Sequence, residues 1–123
     1  MVNRVNHFLS RHVEGSSRSF LGEMEMGTSY NAARFLIESR LAEAARGDSD
    51  ACFDLGIAYS SGAEGVDLNL VEAHKWFNIS AMSGSERAQQ WRAEIAHEMS
   101  AREIAEAQRQ ARAWLSQAGR HAA

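Results

Sequence analysis

The sequence predicts an all-α protein of about five helices arranged as antiparallel pairs. Three observations favour this fold class. The 123-residue chain contains no proline, the strongest helix breaker. Its apolar residues from Tyr30 onward recur at steps of three and four, which is the spacing of one helix face. The connections between these stretches are short, so consecutive helices should lie side by side in opposite directions.

The first two helices are predicted around a junction at Gly47. The first helix carries the apolar residues Ala33, Leu36, Ile37, Leu41 and Ala44. Asp48 or Ser49 can cap the second helix, because a short oxygen-bearing side chain accepts hydrogen bonds from the free amides of a first turn. The second helix carries Ala51, Leu55, Ala58 and Tyr59. It should stop within residues 60–65, which include two glycines.

Two pairs of residues with the form of a capping box open later helices. Asn69 with Glu72 precedes the third helix, which closes at Gly84, and Ser100 with Glu103 precedes the fifth. The apolar residues are Leu70, Ala73, Phe77 and Ala81 in the third helix, Ala88, Trp91 and Ile95 in the fourth, and Ile104, Ala107, Ala111, Trp114, Leu115 and Ala118 in the fifth.

The chain repeats a helix junction with a period of 37 residues. When the sequence is aligned with itself at an offset of 37 residues, Gly47 aligns with Gly84, Ala44 with Ala81, Ala51 with Ala88 and Ala58 with Ile95. Glycine allows a left-handed turn after a helix, and the alanine four residues later lets the next helix approach closely. The repeating unit is therefore predicted to be a pair of helices.

The segment from Ala51 to Ala88 reads Ala-x3-Leu-Gly-x2-Tyr-x2-Gly-x2-Gly-Val, then Glu-Ala-x2-Trp-Phe, then Ala-x2-Gly-x3-Ala. This pattern resembles the Sel-one-like repeat, a relative of the tetratricopeptide helix pair. The matching residues are Ala51, Leu55, Gly56, Tyr59, Gly62, Gly65, Val66, Glu72, Ala73, Trp76, Phe77, Ala81, Gly84 and Ala88. One full repeat covers about residues 49–84. Residues 85–118 resemble a degenerate second copy, and residues 30–47 resemble the second helix of a preceding pair.

The resemblance implies a short right-handed α/α solenoid over residues 29–118. We expect residues 1–28 to form a flexible arm and residues 119–123 a disordered tail. The large rings of Trp76, Phe77 and Tyr59 should lie in the core, where the small residues Gly56 and Ala73 leave room for them.

Composition and charge exclude several functional classes. The chain has 13 Lys and Arg against 16 Asp and Glu, a formal net charge of −3, so it lacks an overall basic footprint for nucleic acid. Its mean hydropathy is −0.39 and it has no apolar run near ~20 residues, so no membrane span is predicted. Cys52 is the single cysteine, which excludes an internal disulfide and fits a reducing compartment. We therefore expect a cytoplasmic protein.

No metal, cofactor or catalytic site is predicted. The histidines are His7, His12, His74, His97 and His121, and none lies three or four residues from another, as a helical metal site would need. His97-Glu98 begins like the zinc motif His-Glu-x-x-His, but residue 101 is alanine. Cys52 is interpreted as a small buried apolar residue. An enzyme is a further alternative, although the sequence holds no nucleophile, base and oxyanion donors at a recognisable spacing.

The resemblance implies a non-catalytic adaptor or scaffold that binds another protein, in the manner of bacterial regulatory and signalling members of the family. By analogy with related solenoids, the first helix of each pair lines the concave face. The predicted contact residues are Asp54, Ile57, Ser61, Gln90, Glu94 and His97. Residues 31–84 hold four basic and eight acidic side chains, which favours a basic partner segment. About two repeats are few for a solenoid, so self-association is a further expectation.

A nucleic-acid-binding regulator is the main alternative. Arg102, Arg109 and Arg120 lie in a narrow sector of the fifth helix and form a basic stripe. Glu106 lies four residues after Arg102 and three before Arg109, which partly neutralises the stripe. Residues 85–123 hold six arginines against five glutamates, so we expect no nucleic-acid partner.

Overall fold

A computed structural model describes the backbone of residues 26–62 and 65–122, and side chains within residues 31–62 and 65–118. Over these ranges the chain forms five α-helices and no strand. The helices are α1 (Met26–Ala45), α2 (Ser49–Ser61), α3 (Leu70–Met82), α4 (Glu86–Ala96) and α5 (Ala101–Ala122). The prediction of an all-α protein with five helices is therefore confirmed.

Both ends of the helical region extend further than the sequence predicted. α1 begins at Met26 rather than at residue 29, and α5 continues past residue 118 to Ala122. Gly119 is the one poor helix former near the end of α5, which is too little to stop a long helix that contains no proline. The rest of the expected N-terminal arm, residues 1–25, lies outside the described residues.

Two helix starts form as predicted. Asp48 is the N-cap of α2, where its carboxylate accepts hydrogen bonds from the amides of Asp50 at 2.9 Å and Ala51 at 3.2 Å. At α5, Ser100 and Glu103 exchange both bonds of a capping box, at 3.1 Å to the serine hydroxyl and 2.8 Å to the glutamate carboxylate. In both caps the bonded residues lie within three positions of each other in the sequence, which is why the pattern predicted them.

The predicted capping box at α3 forms only by half. The side-chain oxygen of Asn69 accepts a hydrogen bond from the backbone N–H of Glu72 at 3.1 Å. The backbone N–H of Asn69, however, donates to the Tyr59 carbonyl at 2.8 Å. The Glu72 carboxylate accepts instead from the Trp76 indole nitrogen at 3.0 Å. The second bond of the capping box does not form, because the Asn69 backbone N–H and the Glu72 carboxylate are both bonded to other groups.

The α1–α2 and α3–α4 junctions have the same hydrogen bonds, 37 residues apart. In each, the glycine amide donates to the carbonyl three residues back and the next amide donates to the carbonyl five residues back, which is a Schellman motif. The bonds are Gly47 to Ala44 at 2.9 Å, Asp48 to Glu43 at 3.1 Å, Gly84 to Ala81 at 2.9 Å and Ser85 to Ser80 at 3.3 Å. Gly47 and Gly84 have φ values of +90° and +102°. The repeated sequence thus builds the same turn twice.

We expect Gly47→Ala and Gly84→Ala to lower the free energy of unfolding by similar amounts, about 1 kcal/mol each. A side-chain carbon at either position would meet nothing within 4 Å, so the loss comes from the left-handed backbone alone. Chemical denaturation measures both losses. The Asn variants should recover part of the stability, because asparagine tolerates this conformation. A loss at only one of the two sites would contradict the equivalence of the turns.

α3 lies at the centre of the fold and packs against α2, α4 and α5, while α1 packs on α2. Its adjacent rings Trp76 and Phe77 are both buried and belong to different apolar clusters. The first cluster comprises Phe53, Ala73, Phe77, Ala81, Ala88, Trp91 and Ile95. The second comprises Ala44, Ala51, Cys52, Leu55, Trp76, Ile79 and Ala111.

Phe77 packs directly on Gly56, as the sequence predicted. A methyl group at Gly56 would lie 2.5 Å from Phe77 Cδ1 and 2.9 Å from Cγ, closer than real side-chain contacts allow. Ala73 is fully buried in the same cluster, and Tyr59 is half-buried against both clusters. Of the motif residues, Ala51, Leu55, Gly56, Ala73, Trp76, Phe77, Ala81 and Ala88 are buried, Gly62 is half-buried, and Gly65 and Gly84 are exposed turn residues.

Candidate binding site

The first helices of the two predicted pairs, α2 and α4, meet through aromatic side chains. The rings of Phe53 and Trp91 lie edge to face, with centroids 6.2 Å apart and planes at 87°. Phe77 of α3 lies 5.6 Å from Phe53 and 6.0 Å from Trp91. The Arg87 guanidinium lies 4.6 Å from the Phe53 ring centroid. The two helices are therefore joined by one aromatic cluster.

The six predicted contact residues on these helices differ in exposure. Asp54, Gln90 and His97 are exposed, whereas Ile57, Ser61 and Glu94 are half-buried. Ile57 packs against the aromatic cluster, and His97 is the C-cap of α4. The exposed part of the predicted surface is therefore formed by Asp54, Gln90 and the C-cap residue His97.

Asp54 lies among several carboxylates and shares one cation with another acid. Its Oδ2 atom is 3.3 Å from Arg40 Nε, while Arg40 Nη1 is 2.9 Å from Glu43 Oε1. Partial burial raises the pKa of the Asp54 carboxyl, Arg40 opposes this rise, and Asp50 adds to it. Because Arg40 is divided between two acids, Asp54 can accept a further cation from a partner.

A second concave surface, which we call the Trp114 groove, was not predicted. It has a volume of about 600 Å³ and lies where the ends of α1 and α3 meet the start of α2 and the last third of α5. Its apolar lining includes Ala44, Ala45, Ile79, Trp114, Leu115 and Ala118. Arg46, Ser49 and Ser83 line its polar part. The only signal in the sequence was the apolar stripe of the fifth helix, which does not reveal that α1 lies beside it.

Trp114 is held from one side by α3. Its ring centroid lies 4.9 Å from that of Trp76, with planes at 73°. The Lys75 ammonium lies 4.6 Å from the Trp76 centroid and 5.8 Å from the Trp114 centroid, and it pairs with Glu72 at 3.7 Å. Trp114 itself is only half-buried. Its ring is thus fixed in place and still accessible from the groove.

Cys52 lines the Trp114 groove but is buried. Burial and the nearby Asp48 carboxylate raise the pKa of the thiol to about 11. The thiol is therefore protonated at neutral pH, and only the thiolate is a strong nucleophile. This chemistry agrees with the interpretation of Cys52 as an apolar core residue.

The basic stripe on α5 is partly neutralised, as predicted. Arg109 makes two hydrogen bonds to Glu106, at 3.0 Å and 2.6 Å, and Gln110 adds a third at 2.8 Å. These bonds lower the pKa of the Glu106 carboxyl to about 2. Arg102 is exposed, and the side chain of Arg120 lies outside the described side chains.

α3 also buries a histidine, His74, to which the sequence pattern assigns no role. His74 is 4% exposed, and its Nδ1 atom has no hydrogen-bond partner among the described residues. Burial, together with the positive charge of Arg92, lowers the pKa of His74 to about 4. Arg92 donates a hydrogen bond to the Asn78 side chain. His74 is therefore neutral at pH 7.

Among the described residues, no three His, Cys, Asp or Glu side chains come together in a group that could hold a metal ion. No helix in the described part of the chain is both long enough and apolar enough to cross a bilayer. Comparison of the chain with protein-family models, curated proteins and solved structures gives no match. The resemblance to the Sel-one-like repeat therefore rests on the sequence motif.

Proposed function

We propose that this protein is a non-catalytic adaptor that binds another protein through the outer faces of α2 and α4. The observation that carries the proposal is the contact between Phe53 and Trp91, which joins the two helices. Asp54 and Gln90 are exposed on these helices. Helical-repeat proteins use such adjacent helices as one extended binding surface. The Sel-one-like motif supports the same function.

The proposed architecture is a short right-handed solenoid of helix pairs. The identical turns at Gly47 and Gly84 support the division into pairs. The packing of α3 on α5 is the contact expected between the second helices of neighbouring pairs. The proposal includes a bacterial regulatory or signalling role in the cytoplasm, supported by the motif and by the presence of a single cysteine.

The proposed partner presents a basic segment. Asp54 shares Arg40 with Glu43, which leaves it able to pair with an incoming lysine or arginine. Glu94, a half-buried residue of α4, is the second acid among the predicted contact residues. A second copy of the chain is the alternative partner, and sedimentation of the purified protein over a range of concentrations separates self-association from binding to another protein.

We expect the charge reversals Asp54→Lys and Glu94→Lys, made together, to abolish capture of the partner from a lysate of the source cells. The matched control is Glu38→Lys with Asp67→Lys, which changes the net charge equally at two exposed positions of α1 and the α2–α3 loop. Wild type and control should retain the same protein. Loss of the Arg40 ion pair should lower stability by less than about 1 kcal/mol, since the pair is partly exposed.

Melting curves of both double variants separate lost binding from lost folding. If the reversed variant folds and still captures what the wild type captures, α2 and α4 do not form the binding surface. If nucleic acid is recovered and released steeply by added salt, the arginine-bearing α5 is the site instead.

A further inference from the structure

The Trp114 groove takes no part in the proposed adaptor surface, because none of the six predicted contact residues lines it. Its volume of about 600 Å³ lies within the range of small-molecule sites. Such sites are mostly apolar and carry a few polar groups that orient the ligand. The half-buried Trp114 ring and the neighbouring Leu115 supply the apolar wall.

A cation, Arg46, lies at this apolar wall. Arg46 lines the groove and is exposed, and it has no ion-pair partner among the described residues. The arginines Arg34, Arg40 and Arg109, by contrast, are each paired with a glutamate. The carboxylate nearest in sequence, Asp48, is engaged with the first amides of α2.

We propose that the Trp114 groove binds a small amphiphilic carboxylate. The hydrocarbon part lies along Trp114 and Leu115, and the carboxylate pairs with the Arg46 guanidinium. A guanidinium donates two parallel hydrogen bonds to a carboxylate, so it favours this head group over a neutral hydroxyl. An ammonium head group would be repelled by the same cation. The groove thus selects its ligand by the sign of the charge at one end of an apolar chain.

The test compares three probes with the same eight-carbon chain: octanoate, 1-octanol and octylammonium. Each is titrated into the full chain while tryptophan fluorescence and the heat of binding are recorded. Trp114 lines the groove, so its emission should change with occupancy. We expect octanoate to bind about threefold more tightly than octanol, the range of a partly exposed ion pair, and octylammonium to bind most weakly.

Two variants and one control identify the site. Arg46→Gln should make octanoate and octanol bind equally, while Arg102→Gln, an exposed arginine of α5, should leave the preference intact. Ala118→Phe should fill the groove and weaken all three probes, with circular dichroism confirming the fold. The proposal is overturned if no probe saturates, if all three bind alike, or if Arg46→Gln keeps the octanoate preference. None of these outcomes affects the adaptor proposal, which concerns α2 and α4.

Discussion

Phe77→Ala is expected to lower the free energy of unfolding by about 3–5 kcal/mol. The Phe77 ring is fully buried, lies on the backbone of Gly56 and contacts the rings of Phe53 and Trp91. Its removal leaves a cavity at the junction of α2, α3 and α4. Urea denaturation followed by circular dichroism measures the loss, which is a large fraction of the 5–15 kcal/mol typical of a whole domain.

The matched control for this variant is Phe35→Ala on α1, where the ring is 74% exposed. Its loss should stay within about 0.5 kcal/mol. Gly56→Ala tests the same contact from the other side and should lower stability by about 1–3 kcal/mol through overpacking. The double variant Gly56→Ala with Phe77→Leu should lose less stability than the sum of the losses of the two single variants, because leucine is smaller and relieves the clash with the new methyl group. Strict additivity, or equal losses for Phe77→Ala and Phe35→Ala, would contradict the packing described.

Acid is expected to destabilise the protein through His74 by about 2–3 kcal/mol between pH 6.5 and pH 4. The pKa of His74 falls from 6.5 in the unfolded chain to about 4 in the folded protein. Above pH 6.5 the imidazole is neutral in both states and has no effect. Between the two values the unfolded chain binds more protons, so stability falls as the pH falls, by about 1.4 kcal/mol per unit. Below pH 4 the imidazole is protonated in both states, and the destabilisation has reached its full size.

Denaturation midpoints measured from pH 7 to pH 4 test this effect. His74→Gln removes the titrating group and should lose less stability over the range than the parent does. The control His97→Gln, at an exposed position, should show the same acid loss as the parent. If His74→Gln and the parent lose equal stability between pH 6.5 and pH 4, another group causes the acid sensitivity.

The features that the sequence predicted correctly depend on residues close together in the chain. The cap at Asp48, the capping box at Ser100 and the turns at Gly47 and Gly84 each involve partners within five residues. The contact between Gly56 and Phe77 was also predictable, because a glycine on one helix of a pair leaves room for a ring on the other.

The features that the sequence did not reveal depend on approaches between distant segments. The α3 capping box forms only by half because Asn69 finds the Tyr59 carbonyl of α2. The Trp114 groove needs the end of α1 to lie beside α5, and these helices are separated by more than fifty residues. Spacing along one helix cannot show how strongly a side chain such as Ile57 is engaged by the core. Spacing alone therefore did not separate the exposed candidates Asp54, Gln90 and His97 from the half-buried Ile57, Ser61 and Glu94.

The adaptor function requires that α2 and α4 together form the surface that binds a protein partner. Photocrosslinking in the source cells tests it most directly, with a light-activated amino acid placed at Gln90 on α4 or, as the control, at Gln108 on α5. Both glutamines are exposed on helices, so both probes are accessible to a partner. We expect a discrete protein adduct from position 90 and none from position 108. Adducts from position 108 alone would contradict the claim.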